Sequence, residues 1–522
     1  VRAGATGSPN AADHFIDRHL REGRGERTVF TDPWRSLTYR DLRDAAARFG
    51  SGLLAAGIGP ERRVALLLLD TVDFPIAFWG ALRAGLVPVP INTLLPPEQV
   101  GYILADCRAE ALIVAAPLLA PLAPLLPGLP RLRQVVVANP DGSAPDAGAA
   151  SFAALLAAGT PEAAPAEAAA DEVAFWLYSS GSTGAPKGVR HVHGALAATA
   201  ETYGTQVLGI LPEDVVFSAA KLFFAYGLGN AMTFPMHVGA AAILLPERPT
   251  PAAVLEVLRR HRPSIFCGVP TLYAALLAQP GLGPGAGSDR LRRCISAGEA
   301  LPAHIGQRWA ERTGVDILDG IGSTEMLHIF LSNRPDALRY GTTGRAVPGY
   351  QLRIVDAAER EVADGEAGEL LVRGPSAAEG YWNRRDRSRR TFQGEWTRTG
   401  DTFVRDAEGW YRSCGRADDM LKVGGIWVSP FEVEEALASH PAVLEAAVVG
   451  QEDAEGLVKP KAFVVLQAAA RDAAREGLVA ELQEHVKTRI GAWKYPRWIT
   501  VLEELPKTAT GKIQRFRLRV PG

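Results

Sequence analysis

The sequence predicts an α/β protein: a large doubly wound, multi-sheet N-terminal domain followed by a small α+β C-terminal domain. Three observations predict it. Short, continuous apolar runs alternate with helix-like segments through the first four-fifths of the chain. Near residue 415 charges and glycines replace that alternation. A length of 522 residues suits about three domains of about 150 residues each, or one large and one small unit.

In chain order, "VALLLL" (64–69), "DFPIAFWGALRAG" (73–85) and "VPVPIN" (87–92) read as strand, helix and strand. "ALIVAA" (111–116), "QVVVA" (134–138), "DVVFSA" (214–219), "AAAILL" (240–245), "SIFCGV" (264–269) and "RRCISAG" (292–298) repeat the strand pattern. Unbroken apolar strands imply that both sheet faces are covered, the doubly wound arrangement. Residues 139–170, rich in Ala, Pro, Gly and Asp, read as a surface insertion or loose connection, and "GLGPGAGS" (281–288) as a second loop. "VAFWLY" (173–178) reads as a short buried strand. After "CGRADDMLKVGG" (414–425) come a helix, "PFEVEEALASH" (430–440), strands "VLEAAVVG" (443–450) and "KAFVVLQ" (461–467), a helix over 471–489, and "WITVLEEL" (498–505). The tail "PKTATGKIQRFRL" (506–518) is basic, and its terminal position predicts fraying.

Bulk properties exclude several function classes. The chain is 47% hydrophobic and 22% charged, as expected of a soluble globular protein. A net charge of −2 gives no electrostatic case for nucleic acid or an anionic membrane. No apolar run reaches the length of a membrane span. The numbering opens at Val1 without a signal-like segment, so a cytoplasmic location is expected. Cys107, Cys267, Cys294 and Cys414 lie far apart without a CxxC pair, which argues against a zinc ribbon or a disulfide framework. His191 and His193 share one strand face but lack further ligands nearby in sequence, so a structural role is the better reading.

The stretch "SSGSTGAPKG" (179–188) raises the functional question. It is not the G-x-x-x-x-G-K-[ST] nucleotide loop: Lys187 lies between Pro186 and Gly188, and no Ser or Thr follows to hold a metal. Ser179, Ser180, Ser182 and Thr183 nevertheless offer four hydroxyls, Gly181 and Gly184 let backbone N–H groups approach an anion, and Lys187 adds a charge. By composition alone a surface loop is the better reading. Four further stretches bear on the choice: "GIGSTE" (320–325), "TGD" (399–401), "GRADDMLKVGG" (415–425) and "PKTATGK" (506–512).

Together and in this order, these stretches resemble the acyl-adenylate-forming superfamily of acyl-CoA ligases, luciferases and peptide-synthetase adenylation domains. The resemblance covers essentially the whole chain and overturns the surface-loop reading. It implies ATP, Mg²⁺ and coenzyme A as cosubstrates and cofactor. It implies that Ser179 to Gly184 and Lys187 bind phosphates, Thr324 the α-phosphate, and Glu325 the metal. Gly298 and Glu299 of "SAGE" (296–299) would form the adenine wall, Asp319 would read the adenine amino group, Asp401 the ribose hydroxyls, and Arg416 ribose or phosphate. Lys512 would be the catalytic lysine. Ile321 stands where the family usually has an aromatic residue, which affects only base stacking. The resemblance further implies a domain of residues 1–417 that binds ATP and acid, and a mobile domain of residues 418–522, turning at the hinge Asp418. Gly424 and Gly425 would then let the pantetheine arm pass; a hairpin turn is the plain alternative for those two.

"KLFFAYGLGNAM" (221–232) and "GIGSTEMLHIFLSN" (320–333) are similar to the benzoate-CoA ligase branch. That likeness implies an aromatic-acid pocket lined by Phe224, Ala225 and Tyr226 on one side and Gly322, His328 and Ile329 on the other. Benzoate and its fluoro, hydroxy and amino derivatives all remain candidates, because an apolar pocket separates methylene-sized differences by only about 1–3 kcal/mol. Two alternatives stand beside the CoA ligase: an aryl-adenylating enzyme that loads a carrier-protein phosphopantetheine, and a non-catalytic nucleotide-binding protein. The tail also resembles the context in which related ligases are acetylated, so a protein acetyltransferase acting on Lys512 is an expected partner.

Overall fold

In the computed structural model the described residues are 10–139, 150–181, 184–416, 419–423, 426–453, 457–471, 477–491, 494–507 and 513–519. The predicted apolar runs become the interior of two parallel sheets. Val87–Pro90, Arg63–Leu67, Ala111–Ala115, Gln134–Ala138 and Ala150–Ser151 form, in that order, an all-parallel five-stranded sheet. A nine-stranded sheet runs Arg345–Ala346, Ile329–Ser332, Ile317–Gly322, Arg293–Ser296, Ile265–Gly268, Val215–Ser218, Ala241–Ile243, Thr28–Thr31, Ser36–Thr38. It is parallel from Ile317–Gly322 to Thr28–Thr31 and antiparallel at both edges.

Alternate side chains of these strands enter different cores, as the two-residue period of a strand requires. Val64 and Leu66 join Val216, Ile265 and Ile295 in the largest cluster, between the sheets. Ala65 and Leu67 face a separate layer with Leu112 and Val114, and Phe217, Phe266 and Cys294 pack with Tyr273 and Trp309 on the other side. Both faces of each sheet are therefore covered, and the fold is α/β and doubly wound.

Three differences from the sequence reading have physical causes. The strand expected at 173–178 runs Val173–Gly181 and returns as Gly184–Val192, so the expected loop is the end of a β-hairpin. Its serines and glycines carry no strand signal of their own; ladder pairing extends the strand past the apolar run. Within the expected loose connection, Ala150–Ser151 joins the five-stranded sheet, and Phe152, buried, meets Phe49 at 5.5 Å between ring centroids. The tail is tied down at its described ends: Lys507 pairs with Ile513, and Arg515 forms a 2.7 Å ion pair with Glu434.

The remaining sheets are smaller. An antiparallel sheet holds Gln351–Val355, Ala367–Arg373, Trp396–Arg405, Phe392–Gln393 and Tyr411–Arg416. Near the C-terminus, Val443–Glu452, Val458–Leu466 and Trp498–Val501 form a three-stranded sheet. Helices Pro430–Ala438 and Leu478–Ile490 cover it through a core that includes Val433, Val448, Val464, Leu482 and Val486. Ser429 caps the first of these helices, accepting from the Glu432 N–H, with Pro430 in its first turn. The Ser429 hydroxyl also donates to the Cys414 carbonyl, joining this smaller unit to strand Tyr411–Arg416.

Candidate active site

The hairpin brings the first group of candidates together. Its register sets Ser179 opposite Lys187 and Gly181 opposite Gly184, with an irregularity between the two pairs. Strand Gly380–Tyr381 adds to its far edge, with Tyr381 opposite Val189. The Ser179 Oγ is buried and has no hydrogen-bond partner among the described residues. Ser182 and Thr183 lie outside the described residues, and Ser180 belongs to the strand through its backbone.

Lys187 reaches from the hairpin to "GIGSTE". Its Nζ donates to Glu325 Oε1 at 2.8 Å and to the Tyr381 hydroxyl at 2.8 Å, and lies 4.2 Å from the Tyr381 ring centroid. The Tyr381 hydroxyl donates in turn to Glu325 Oε1 at 2.8 Å. Burial lowers the pKa of the Lys187 ammonium, while Glu325 raises it in part. Burial raises the Glu325 carboxyl, but Lys187 and Tyr381 outweigh it and the net shift is downward. His191, two residues beyond Val189, is buried against Phe175 and lowered to about 4 by burial, with the Glu325 charge pulling the other way. His193 accepts a hydrogen bond from the Ala11 N–H at 3.2 Å.

"GIGSTE" ends a strand, Ile317–Gly322, and continues as a turn rather than a helix: the Met326 N–H bonds the Ser323 Oγ, and the Leu327 N–H bonds the Thr324 carbonyl. Gly322 is required by close approach, because a Cβ there would lie 2.4 Å from the His328 carbonyl oxygen. Asp319, three residues earlier, is buried, and burial raises its carboxyl well above the ordinary value. The Asp319 Oδ1 has no hydrogen-bond partner among the described residues. On the neighbouring strand's outlet, Gly298 adopts a φ of 97°, and the Glu299 carboxylate accepts the Ile513 N–H at 3.2 Å.

Asp401 and Arg416 come from adjacent strands that pair them directly. Arg416 donates to Asp401 Oδ1 at 3.1 Å and to the Thr399 carbonyl at 3.2 Å. The Arg416 charge is close enough to depress the pKa of Lys187, as is that of Arg387.

Among the aromatic candidates, Tyr226 and His328 pack together, and Phe224 packs on Phe223. Phe224 precedes helix Ala225–Leu228 and meets Phe223 at 4.4 Å between centroids. The Tyr226 hydroxyl donates between the Gly268 and Ile295 carbonyls, at 3.1 and 3.2 Å, which commits it to the strand ends. His328 is buried among Phe234, Tyr203 and Tyr226, with centroids 4.5, 5.2 and 5.8 Å away. Burial lowers it to about 3, so the ring is neutral. A Cβ on Gly229 would meet the His328 ring at 2.4 Å, so glycine there leaves room for the imidazole. Ile329 is buried beside it on the antiparallel strand Ile329–Ser332.

The model of the AMP-binding enzyme family matches residues 16–382, and that of the AMP-binding enzyme C-terminal domain matches residues 432–512. The chain belongs to the AMP-binding enzyme family. Among its relatives, a 4-hydroxybenzoate–CoA/benzoate–CoA ligase of Rhodopseudomonas palustris is 54% identical, covering 98% of this chain and 94% of its own. A benzoate–CoA ligase of Thauera aromatica is 55% identical, covering 98% and 95%. The crystal structure of a benzoate CoA ligase from Burkholderia xenovorans LB400 superposes with a TM-score of 0.90 at 50% identity, over 98% of this chain and 100% of the other.

In this AMP-binding enzyme the fold bonds Lys187 to Glu325, pairs Asp319 with Ser296 two residues before Gly298, and brings the Arg416 charge near enough to Lys187 to lower its pKa. Lys512, Asp418, Gly424 and Gly425 lie outside the described residues, as do Ser182 and Thr183. Tyr381 was not legible in the sequence. A single tyrosine in a two-residue strand carries no local signal, and its place follows only from pairing with residues almost two hundred positions earlier. Among the described residues no helix is long and apolar enough to cross a membrane.

Proposed function

We propose that this AMP-binding enzyme is an acid–thiol ligase. It activates a benzoate-like aromatic acid with ATP as the acyl-AMP, releases pyrophosphate, and transfers the aroyl group to coenzyme A with release of AMP. One observation carries the reading: identities of 54% and 55% to ligases named for benzoate extend over almost the entire chain.

The site residues suit that chemistry. A carboxylate oxygen must attack the α-phosphorus, so two anions have to meet, and fixed positive charge lowers the barrier. Lys187 supplies one such charge at the hairpin end, beside the buried Ser179 Oγ. In this reading Ser179 to Gly184 bind phosphates, Thr324 the α-phosphate, Asp319 the adenine amino group, Gly298 and Glu299 the adenine face, and Asp401 with Arg416 the ribose. The buried Asp319 Oδ1 supports its part, since a buried acceptor costs about 1–3 kcal/mol until something satisfies it. Glu325 fits a magnesium ion, because its carboxylate already holds the cation of Lys187. Among the described residues no cluster of three or more His, Cys, Asp or Glu side chains could hold a metal. Phosphate oxygens and water would therefore complete its shell, as is usual for magnesium. The metal would supply charge neutralisation along the phosphates. Phe224, Ala225, Tyr226, Gly322, His328 and Ile329 would line the aromatic slot.

The same reading includes residues 1–417 as the ATP- and acid-binding domain and residues 418–522 as a domain that turns at Asp418. Lys512 then serves acyl-AMP formation, and Gly424 and Gly425 flank the pantetheine arm in thioester formation. A cytoplasmic location, and a protein acetyltransferase that neutralises Lys512, belong to the same proposal. Pyrophosphate release tests the function across benzoate, hydroxy-, amino- and fluorobenzoates and short aliphatic acids, with and without CoA. Release with benzoate-class acids, and aroyl-CoA formed with CoA present, is expected. Folded protein with magnesium and ATP that releases none with any aromatic acid would overturn it.

A further inference from the structure

Tyr381 closes a three-membered ring of hydrogen bonds with two charged groups. Lys187 Nζ donates to both the Tyr381 hydroxyl and Glu325 Oε1, each at 2.8 Å, and the hydroxyl donates to the same Oε1 at 2.8 Å. A phenol has one proton. With an ammonium donating into its oxygen, that proton is directed to the carboxylate, and the more distant Thr391 Oγ, at 3.4 Å, cannot compete equally. The ring face adds a cation–π contact at 4.2 Å.

The tyrosine is itself held from several sides. It is buried, its N–H bonds the Ser388 Oγ at 3.0 Å, its strand pairs with the hairpin, and its ring meets Phe392 at 5.3 Å. A fixed phenol can therefore fix the two groups it touches. Neither charged group is anchored so rigidly by its own element: Lys187 has a long flexible stem, and Glu325 stands in a turn after a strand end.

We propose that Tyr381 is a positioning residue that keeps Lys187 and Glu325 preassembled, the carboxylate aimed for the metal of a metal–nucleotide complex and the ammonium for its phosphates. The proposal rests on the ligase reading, in which Glu325 holds the metal, but it concerns a residue to which that reading gives no part. Occupation of the site would exchange the Lys187–Glu325 contact for Glu325–metal and Lys187–phosphate contacts, while the phenol keeps its bond to Oε1 throughout.

The test is Tyr381→Phe, which keeps the ring and removes only the hydroxyl. Mn²⁺ binding is followed by electron paramagnetic resonance in the presence of α,β-methylene ATP, which cannot react. About a five- to tenfold rise in the Mn²⁺ Kd is expected, because a carboxylate and an ammonium no longer held in place must be ordered when the metal–nucleotide complex binds. The thermal midpoint should fall by no more than a few degrees, and in turnover the Mg²⁺ concentration for half-maximal rate should rise more than kcat falls. A double-mutant cycle with Lys187→Met separates positioning from bulk stability: the two substitutions should be coupled in Mn²⁺ affinity by more than about threefold. Unchanged Mn²⁺ affinity in Tyr381→Phe, or a purely additive cycle, would overturn the proposal. Wild-type protein that binds the metal–nucleotide complex and shows the tyrosine dependence, yet releases no pyrophosphate with aromatic acids, would instead sink the ligase reading and leave this inference standing.

Discussion

Asp70 shows at the scale of one residue what a buried charge does. Its carboxylate accepts the Leu222 N–H at 3.2 and 3.3 Å, just before the aromatic stretch of the candidate pocket. Burial raises its pKa from 3.8 to about 6, and the Lys221 charge and the Leu222 bond pull downward without restoring it. An acid whose folded pKa is raised binds more protons when folded, so it favours the fold at low pH. That contribution is complete below about pH 4 and is lost as the pH rises through about 6. Asp70→Asn removes the titration. The stability of wild type relative to the variant is therefore expected to fall by about 2 kcal/mol between pH 4 and pH 8. Urea denaturation at a series of pH values measures it, and a difference that stays flat would contradict the assignment. Legibility also differs at this scale. Lys187 and Glu325 stand in recognisable strings, so the sequence points to them. Tyr381 and Asp70 do not, because tertiary neighbours alone give them their meaning.

At the scale of elements, the parallel strands were legible because strands covered on both faces must be apolar at every position, as "ALIVAA" and "SIFCGV" are. The hairpin end was not, because Ser179 and Gly181 join a ladder only through their partners Lys187 and Gly184. The turn after Ile317–Gly322 was half legible: its Ser-Thr-Glu order suits a helix start as well as a turn, and the antiparallel return of Ile329–Ser332 selects the turn. That return brings His328 against Gly229, which yields a specific expectation. Gly229→Ala would put a Cβ 2.4 Å from the imidazole, and the ring must shift within a packed aromatic layer. Overpacking of this kind costs about 1–3 kcal/mol. The variant is expected to lose that much stability and to raise KM for the aromatic acid several-fold more than KM for ATP. Denaturation and steady-state kinetics check the two parts. Equal increases in both KM values would show that His328 does not border the acid site.

At the scale of the molecule, the change of texture near residue 415 was legible, whereas the seating of the C-terminal unit was not. Its contacts join residues separated in sequence: the Ile513 N–H to the Glu299 carboxylate, and the Ser429 hydroxyl to the Cys414 carbonyl. The first of these ties the tail to the turn that follows strand Arg293–Ser296, and Lys512 is the residue next to Ile513 in sequence. In the proposed function Lys512 acts where negative charge builds at the α-phosphate, which happens only in the first half-reaction. Stabilisation confined to that transition state affects that step alone. Lys512→Ala is therefore expected to lower benzoyl-AMP formation by about a hundredfold or more, since each 1.4 kcal/mol of lost stabilisation costs about tenfold. Conversion of synthetic benzoyl-AMP and CoA to benzoyl-CoA should stay within about threefold of wild type, because the thiol attacks a carbonyl carbon that is already activated. Asp418→Pro should give the opposite pattern, with thioester formation slowed more than acyl-AMP formation, because a fixed φ resists a domain turn. Single-turnover assays of each half-reaction, run on both variants, separate the two effects. If Lys512→Ala slows both half-reactions equally in folded protein, the two steps share one arrangement of the C-terminal unit, and alternation between two seatings is wrong for this chain.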